Sequence, residues 1–187
     1  MRDITAEIDR ENRIITDLLT LVKMDKKNAD LQIQHMSINQ LLEDILKRLR
    51  PIADKRNIDL ILDSFRPVEA DVDELKFTSA ISNLVENAIK YNVDDGWVRV
   101  SLDADHKFFY VTVADSGMGI PEDSLSRIFE RFYRVDKSHS REIGGTGLGL
   151  AIARNAVIAH RGAIKVYSEE GEGTTFTVRI PLIYTAS

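Results

Sequence analysis

Asn83, Asn87 and Lys90 stand four and then three residues apart in a stretch without glycine or proline. At that spacing they share one face of a helix. The Asn87 amide oxygen is a neutral donor of the kind Mg²⁺ accepts while it keeps waters and takes phosphate oxygens as its other ligands. Lys90 supplies a point charge for phosphate. Tyr91 ends the segment, where an aromatic ring could flank a planar base. Buried asparagines also cap neighbouring turns, so the spacing alone leaves both readings open.

Asp115 follows the apolar run Phe108 to Ala114, which fixes it at a strand end. A carboxylate there can accept a hydrogen bond from an exocyclic amine. In the run Asp115-Ser116-Gly117-Met118-Gly119-Ile120, the two glycines would admit a ligand close to the backbone, and Ile120 could pack on it. The same pattern is also ordinary turn chemistry. Its weight comes from position, 28 residues after Asn87 and ahead of a third cluster. In that cluster Gly145, Gly147 and Gly149 alternate before an apolar helix. Backbone N–H groups at such a helix start can hold phosphate, although a plain flexible hinge would read the same. The pattern is neither a dinucleotide fingerprint, which follows a strand, nor a P-loop, which ends in Gly-Lys-Ser/Thr. Between the glycine clusters lie Arg131, Arg134, Lys137 and Arg141, which could meet a terminal phosphate. A solvated charged loop accounts for Lys137 and Arg141 as well. Phe129 and Phe132 read as core anchors of a short helix.

The elements that must position these residues follow from periodicity. Ile4, Ile8, Ile15, Leu18, Leu19 and Val22 form the apolar stripe of one long N-terminal helix. Such a helix packs either on its own domain or into an intermolecular bundle. After the hydrophilic linker at 26–30, residues 31–36 alternate as a strand. Ser37 with Gln40 resembles a capping box, opening a helix that Pro51 should bend or break. Ile58–Leu62 reads as a strand. Asp73 caps a helix to about Tyr91, with Leu75, Ala80, Ile81, Leu84, Val85 and Ala88 inward. Residues 97–102 and 108–114 form a hairpin, and Ser124–Tyr133 a short helix. Residues 135–146 form a mobile loop, and Leu148–His160 a helix stopped by Gly162. The last hairpin pairs 163–168 with 174–181. The fold class is therefore α+β: a two-layer α/β sandwich with a mixed sheet, preceded by the N-terminal helix.

Composition narrows the classes. With 25 basic against 30 acidic residues the net charge is −5, which speaks against a nucleic-acid-binding surface. There is no cysteine, hence no disulfide or thiolate chemistry. No apolar run approaches the roughly 20 residues that cross a bilayer. The expected setting is cytoplasmic, with any membrane attachment in other parts of a parent protein.

Taken in order, Asn83–Tyr91, Asp115–Ile120, Phe129–Arg134 and Gly144–Leu150 resemble the N, G1, F and G2 boxes of the catalytic, ATP-binding domain of bacterial two-component sensor histidine kinases. Gly171–Phe176 with Pro181-Leu182 matches that family's closing hairpin. The resemblance covers about 31–187 and implies a Bergerat-type ATP-binding fold. It implies Mg²⁺ on Asn87, adenine on Asp115, phosphate on Lys90 and Arg134, and a movable lid at about 135–147. It adds Tyr91, Gly117, Gly119, Ile120, Gly145, Thr146, Gly147, Leu148, Gly149 and Thr174 to the ATP-contacting set. Gyrase-like relatives carry a water-activating glutamate where this chain has Asn83. An amide is a poor general base, so transfer to a protein nucleophile is expected over hydrolysis.

Residues 1–28 resemble the second helix of the family's dimerisation and phosphoacceptor hairpin. The acceptor motif, His followed by Glu or Asp, then Leu-Arg-x-Pro, is absent. Ser138–Glu142 imitates part of it without the proline, in a loop. All four histidines read as structural or solvated, so the chain is expected to be cut within the hairpin and to lack the phosphoacceptor. The implied activity is a protein-histidine kinase acting with ATP and Mg²⁺. The implied partners are a response regulator receiver domain and a second copy joined through the hairpin helices. A non-catalytic ATP-sensing module and a gyrase-like ATPase are the alternatives.

Overall fold

The computed structural model describes residues 12, 14–19, 31–131, 133 and 148–185. The lid and the third glycine cluster up to Gly147 lie outside these, as do Phe132, Arg134, Lys137, His139 and Arg141.

Strand β1, Ile33–Ser37, runs directly into helix α1, Ile38–Asp54. Ser37 Oγ accepts the Gln40 N–H at 3.3 Å. Only half of the capping box forms, because the Gln40 side chain donates forward to Asp44 instead. The helix is not broken at Pro51 and ends at Asp54, short of Arg56. Pro51 sits in the last turn, where one missing N–H removes a single rung, and α1 continues through it to Asp54. Strand β2 spans Asp59–Ser64. A further strand that the sequence did not suggest, β3 at Glu69–Asp73, pairs antiparallel with β1.

Asp73 ends β3 and caps helix α2, Glu74–Lys90, accepting the Lys76 N–H at 3.0 Å. Its buried stripe is Phe77, Ala80, Ile81, Leu84, Val85, Ala88 and Ile89. Leu75, expected inward, is 82% exposed. It lies two residues before Phe77, which places it on the opposite side of the helix.

Strands β4 (Trp97–Ala104), β5 (Phe108–Asp115), β6 (Ala163–Glu169) and β7 (Gly173–Pro181) join β2 in one sheet ordered β2-β4-β5-β7-β6. The β2–β4 pair is parallel and the others antiparallel, so the sheet is mixed. Alternate residues of these strands, among them Val98, Val100, Leu102, Phe109, Val111, Val113, Phe176 and Val178, are buried with the apolar stripes of the helices. The predicted helix at Ser124–Tyr133 is instead a 3₁₀ turn, Glu122–Ser124, followed by further turns. Arg127, Glu130 and Tyr133 each donate N–H groups to the carbonyl three residues back, the tighter pattern that does not extend into an α-helix. Phe129 is an anchor as expected, edge-on to Phe176 at 6.2 Å.

Helix α3 spans Gly149–Ala159. Its stop is set by Arg161 rather than Gly162. Arg161 takes the left-handed conformation, and the N–H groups of Arg161 and Gly162 bond back to Ile158 and Val157. His160, buried at this end, donates from Nδ1 to the Ala156 carbonyl at 2.8 Å and accepts the Asp73 N–H on Nε2 at 3.0 Å. It thus ties the end of α3 to the start of α2. His35 lies on β1 with Nδ1 3.0 Å from Asp71. Of the N-terminal helix, residues 14–19 are helical. Ile14 and Leu18 pack on Leu148, Ala151 and Ile152, while Ile15 and Leu19, assigned to the same stripe as Leu18, stay exposed. No described helix is long and apolar enough to cross a membrane.

Candidate functional site

Three elements converge where the sequence placed its chemistry: the second half of α2, the loop after β5, and the start of β7. Asn83, Asn87, Lys90 and Tyr91 are half-buried on α2 or at its end. Their side chains differ in what they touch. Asn83 Nδ2 donates to the Ser79 carbonyl one turn back at 2.7 Å. The Asn87 side chain makes no hydrogen bond to another described residue, which leaves its amide available. Among the described residues no three His, Cys, Asp or Glu side chains gather as a metal site. The Asn87 amide oxygen could serve a cation together with oxygens that a ligand brings. That donor set fits Mg²⁺, which commonly keeps water and phosphate ligands.

Asp115 closes β5. Its Oδ1 accepts the Gly117 N–H at 2.8 Å and the Thr174 N–H at 3.3 Å. Burial raises its carboxyl to about pKa 6, against the lowering effect of those two N–H groups. No donor to Oδ2 exists among the described residues, so the second oxygen is the one that can meet a ligand. Thr174, buried on β7, also shares a 2.8 Å hydroxyl contact with Ser168, whose Oγ accepts the Ile120 N–H at 2.7 Å.

The two glycines of the loop also meet this chain's own backbone. A β-carbon on Gly117 would lie 2.5 Å from the Tyr91 carbonyl oxygen, and one on Gly119 would lie 2.1 Å from that of Glu169. Gly119 also has φ of +72°. The end of α2 approaches the loop on one side and β6 on the other. The Met118 N–H donates to the same Tyr91 carbonyl at 3.1 Å.

Leu148 is buried and Gly149 opens α3. A β-carbon on Gly149 would stand 2.9 Å from Asn83 Oδ1, so the end of the third glycine cluster reaches α2. Arg134, Gly145, Thr146 and Gly147 lie outside the described residues. Arg127 stacks over the Tyr133 ring at 4.6 Å and pairs with Glu130.

Sequence reasoning missed Asn92 and Ser116. Asn92 Nδ2 donates to the Trp97 carbonyl at 2.9 Å, and its Oδ1 accepts from Ser116 Oγ at 3.0 Å. Ser116 Oγ in turn accepts the Trp97 N–H at 2.9 Å. A polar residue directly after a helix end is the one signal that pointed to Asn92.

The family model described as histidine kinase-, DNA gyrase B-, and HSP90-like ATPase matches residues 72–183. The chain is 37% identical over 178 residues to the sensor histidine kinase WalK of Bacillus subtilis, covering 94% of this chain and 29% of that protein. It is 35% identical over 177 residues to the phosphate regulon sensor protein PhoR of Pseudomonas aeruginosa, covering 95% and 40%. The chain thus spans less than half the length of these relatives. Among solved structures, the nucleotide-free catalytic domain of histidine kinase ThkA superposes with a TM-score of 0.72 at 26% identity, covering 81% of this chain and 97% of that one. Full-length ShkA in complex with AMPPNP gives 0.81 at 27% identity, covering 94% and 36%.

Proposed function

Since the chain belongs to the histidine kinase-, DNA gyrase B- and HSP90-like ATPase family, with the catalytic domains of sensor histidine kinases among its matches, we propose that it binds Mg·ATP and donates the γ-phosphate to a histidine outside this chain. That histidine would stand on a dimerisation helix, for relay to a response regulator receiver domain. The observation that carries the reading is Asp115. Its Oδ1 is locked by two backbone N–H groups, so Oδ2 is held in one orientation and can accept the adenine exocyclic amine. Tyr91 and Ile120 border the base. Gly117 and Gly119 hold the loop against α2 and β6, which keeps that geometry.

Lys90, with Arg134, Gly145, Thr146, Gly147, Leu148 and Gly149, would bind phosphate, and Asn87 would hold Mg²⁺. The metal, when bound, neutralises phosphate charge. Asn83 favours transfer over hydrolysis, because an amide is too weak a base to take a proton from water; its Nδ2 donates to the Ser79 carbonyl. Thr174 serves through its backbone N–H to Asp115. The exposed Ile15 and Leu19 on the N-terminal helix suit a second hairpin helix and a homodimer.

The test mixes this chain with a separately prepared hairpin bearing the His acceptor and γ-labelled ATP. Acid-labile label on the hairpin, and none on the chain alone, is the expected result. Phosphate release without label transfer would make the chain an ATPase. Absence of nucleotide binding would overturn the reading altogether.

A further inference from the structure

We infer that Arg56, far from the ligand groups in sequence, is a positioning residue of the nucleotide site; this rests on the reading above. Arg56 lies in the turn after α1, yet its guanidinium spans the end of α2. Nη1 donates to the carbonyls of Ile89 and Lys90, the latter at 2.9 Å, and Nη2 donates to that of Asn92. Nε pairs with Asp94 at 3.0 Å. The last carbonyls of a helix have no partner within it and carry the negative end of its dipole. One cation therefore satisfies three acceptors at the end of the helix that bears Asn87, Lys90 and Tyr91.

The turn that carries Arg56 is itself fixed. The Asp95 N–H donates to the Arg56 carbonyl at 3.2 Å, and Asn57 Nδ2 donates to Asp95 Oδ1 at 2.6 Å. Beyond Asn92 the same network passes through its buried amide to Trp97 and Ser116, the residue next to Asp115. Tyr91 meanwhile accepts the Met118 N–H. The adenine acceptor and the phosphate-side groups of α2 are thus joined through a helix end that Arg56 clamps. Arg56 touches no ligand in this scheme. It sets where Lys90 and Tyr91 stand relative to Asp115.

The experiment titrates Mg·ATP by calorimetry into the wild-type chain, Arg56→Ala and Arg56→Lys. Affinity in Arg56→Ala should fall about tenfold, the scale of losing charge-assisted hydrogen bonds. Millimolar guanidinium should restore most of it, whereas ammonium at the same concentration should not. Arg56→Lys should fall between, since an ammonium group cannot span three carbonyls. A variant that melts earlier but binds Mg·ATP with wild-type affinity overturns the inference and makes Arg56 a stability element only. Should Arg56→Ala fail to fold, Arg56→Lys decides, and wild-type affinity in it overturns the inference equally. Wild-type protein that binds no nucleotide defeats the functional reading and this inference together. Intact wild-type binding with unchanged variants defeats this inference alone.

Discussion

Asn83 Oδ1 stands 2.9 Å from the point where a β-carbon on Gly149 would be. The first residue of α3 is therefore seated against the middle of α2, and the Asn83 amide, tied to Ser79, has nowhere easy to move. Gly149→Ala should destabilise the wild-type chain by about 1 kcal/mol, despite alanine's better helix propensity. In an Asn83→Ala background the same change should be neutral or stabilising. Denaturant unfolding of the double-mutant cycle measures the coupling; equal effects in both backgrounds would remove Asn83 as the obstacle.

Asp115→Asn should weaken ATP binding by about 1–3 kcal/mol. It should also remove a pH dependence. With the carboxyl at about 6, ATP affinity in the wild-type chain should decline as pH falls through 6, because protonated Oδ2 no longer accepts. Stability runs the other way. A carboxyl raised on folding stabilises below its unfolded value near 3.9 and loses that contribution as pH rises through 6. At pH 7.5 the apo Asp115→Asn variant should therefore be more stable than wild type. Calorimetric titrations and urea melts from pH 5 to 8 check both signs.

Asn87→Ala should abolish the Mg²⁺ dependence of nucleotide binding while leaving metal-free binding nearly unchanged. The Asn87 side chain bonds no other described residue, so its loss disturbs little else. Affinity measured with Mg²⁺ and with EDTA gives the comparison, and a persisting Mg²⁺ effect would reassign the metal.

His160 should make the fold acid-sensitive. Burial holds its imidazole below the ordinary histidine value near 6.5, and Nε2 must stay unprotonated to accept the Asp73 N–H. The lowered folded value means this stability is present above about 6.5 and is lost as pH falls through the folded value. Thermal melts of wild type against His160→Gln should diverge above pH 6.5 and converge in acid. Parallel curves would show that His160 carries no such linkage.

Much of this was legible in the chain. The Asp73 cap and the stripe from Ala80 to Ala88 announced α2, and strand-like runs on either side of a turn announced both hairpins. Strand β3 was not legible, because Glu69, Asp71 and Asp73 leave only Ala70 and Val72 as apolar inward residues. The turns after Ser124 were misread because their apolar spacing also suits a helix. At the site, Asp115 stood out by its place after an apolar strand. Arg56, Asn92 and Ser116 did not, since many of their partners are backbone atoms, which carry no signature in side-chain pattern. The glycines of the β5 loop were visible, but the neighbours that require them come from segments remote in sequence.

Strand β3 receives the chain at both of its passages. The Gln32 N–H reaches Asp73, Asp71 accepts the Tyr184 N–H, and the Asp71 N–H reaches the Leu182 carbonyl. Residues 32 and 184 therefore lie close together, against residues two apart on β3. Two ends held side by side on one strand suit circular permutation: a short bridge from 184 to 32 would join them without unthreading the sheet.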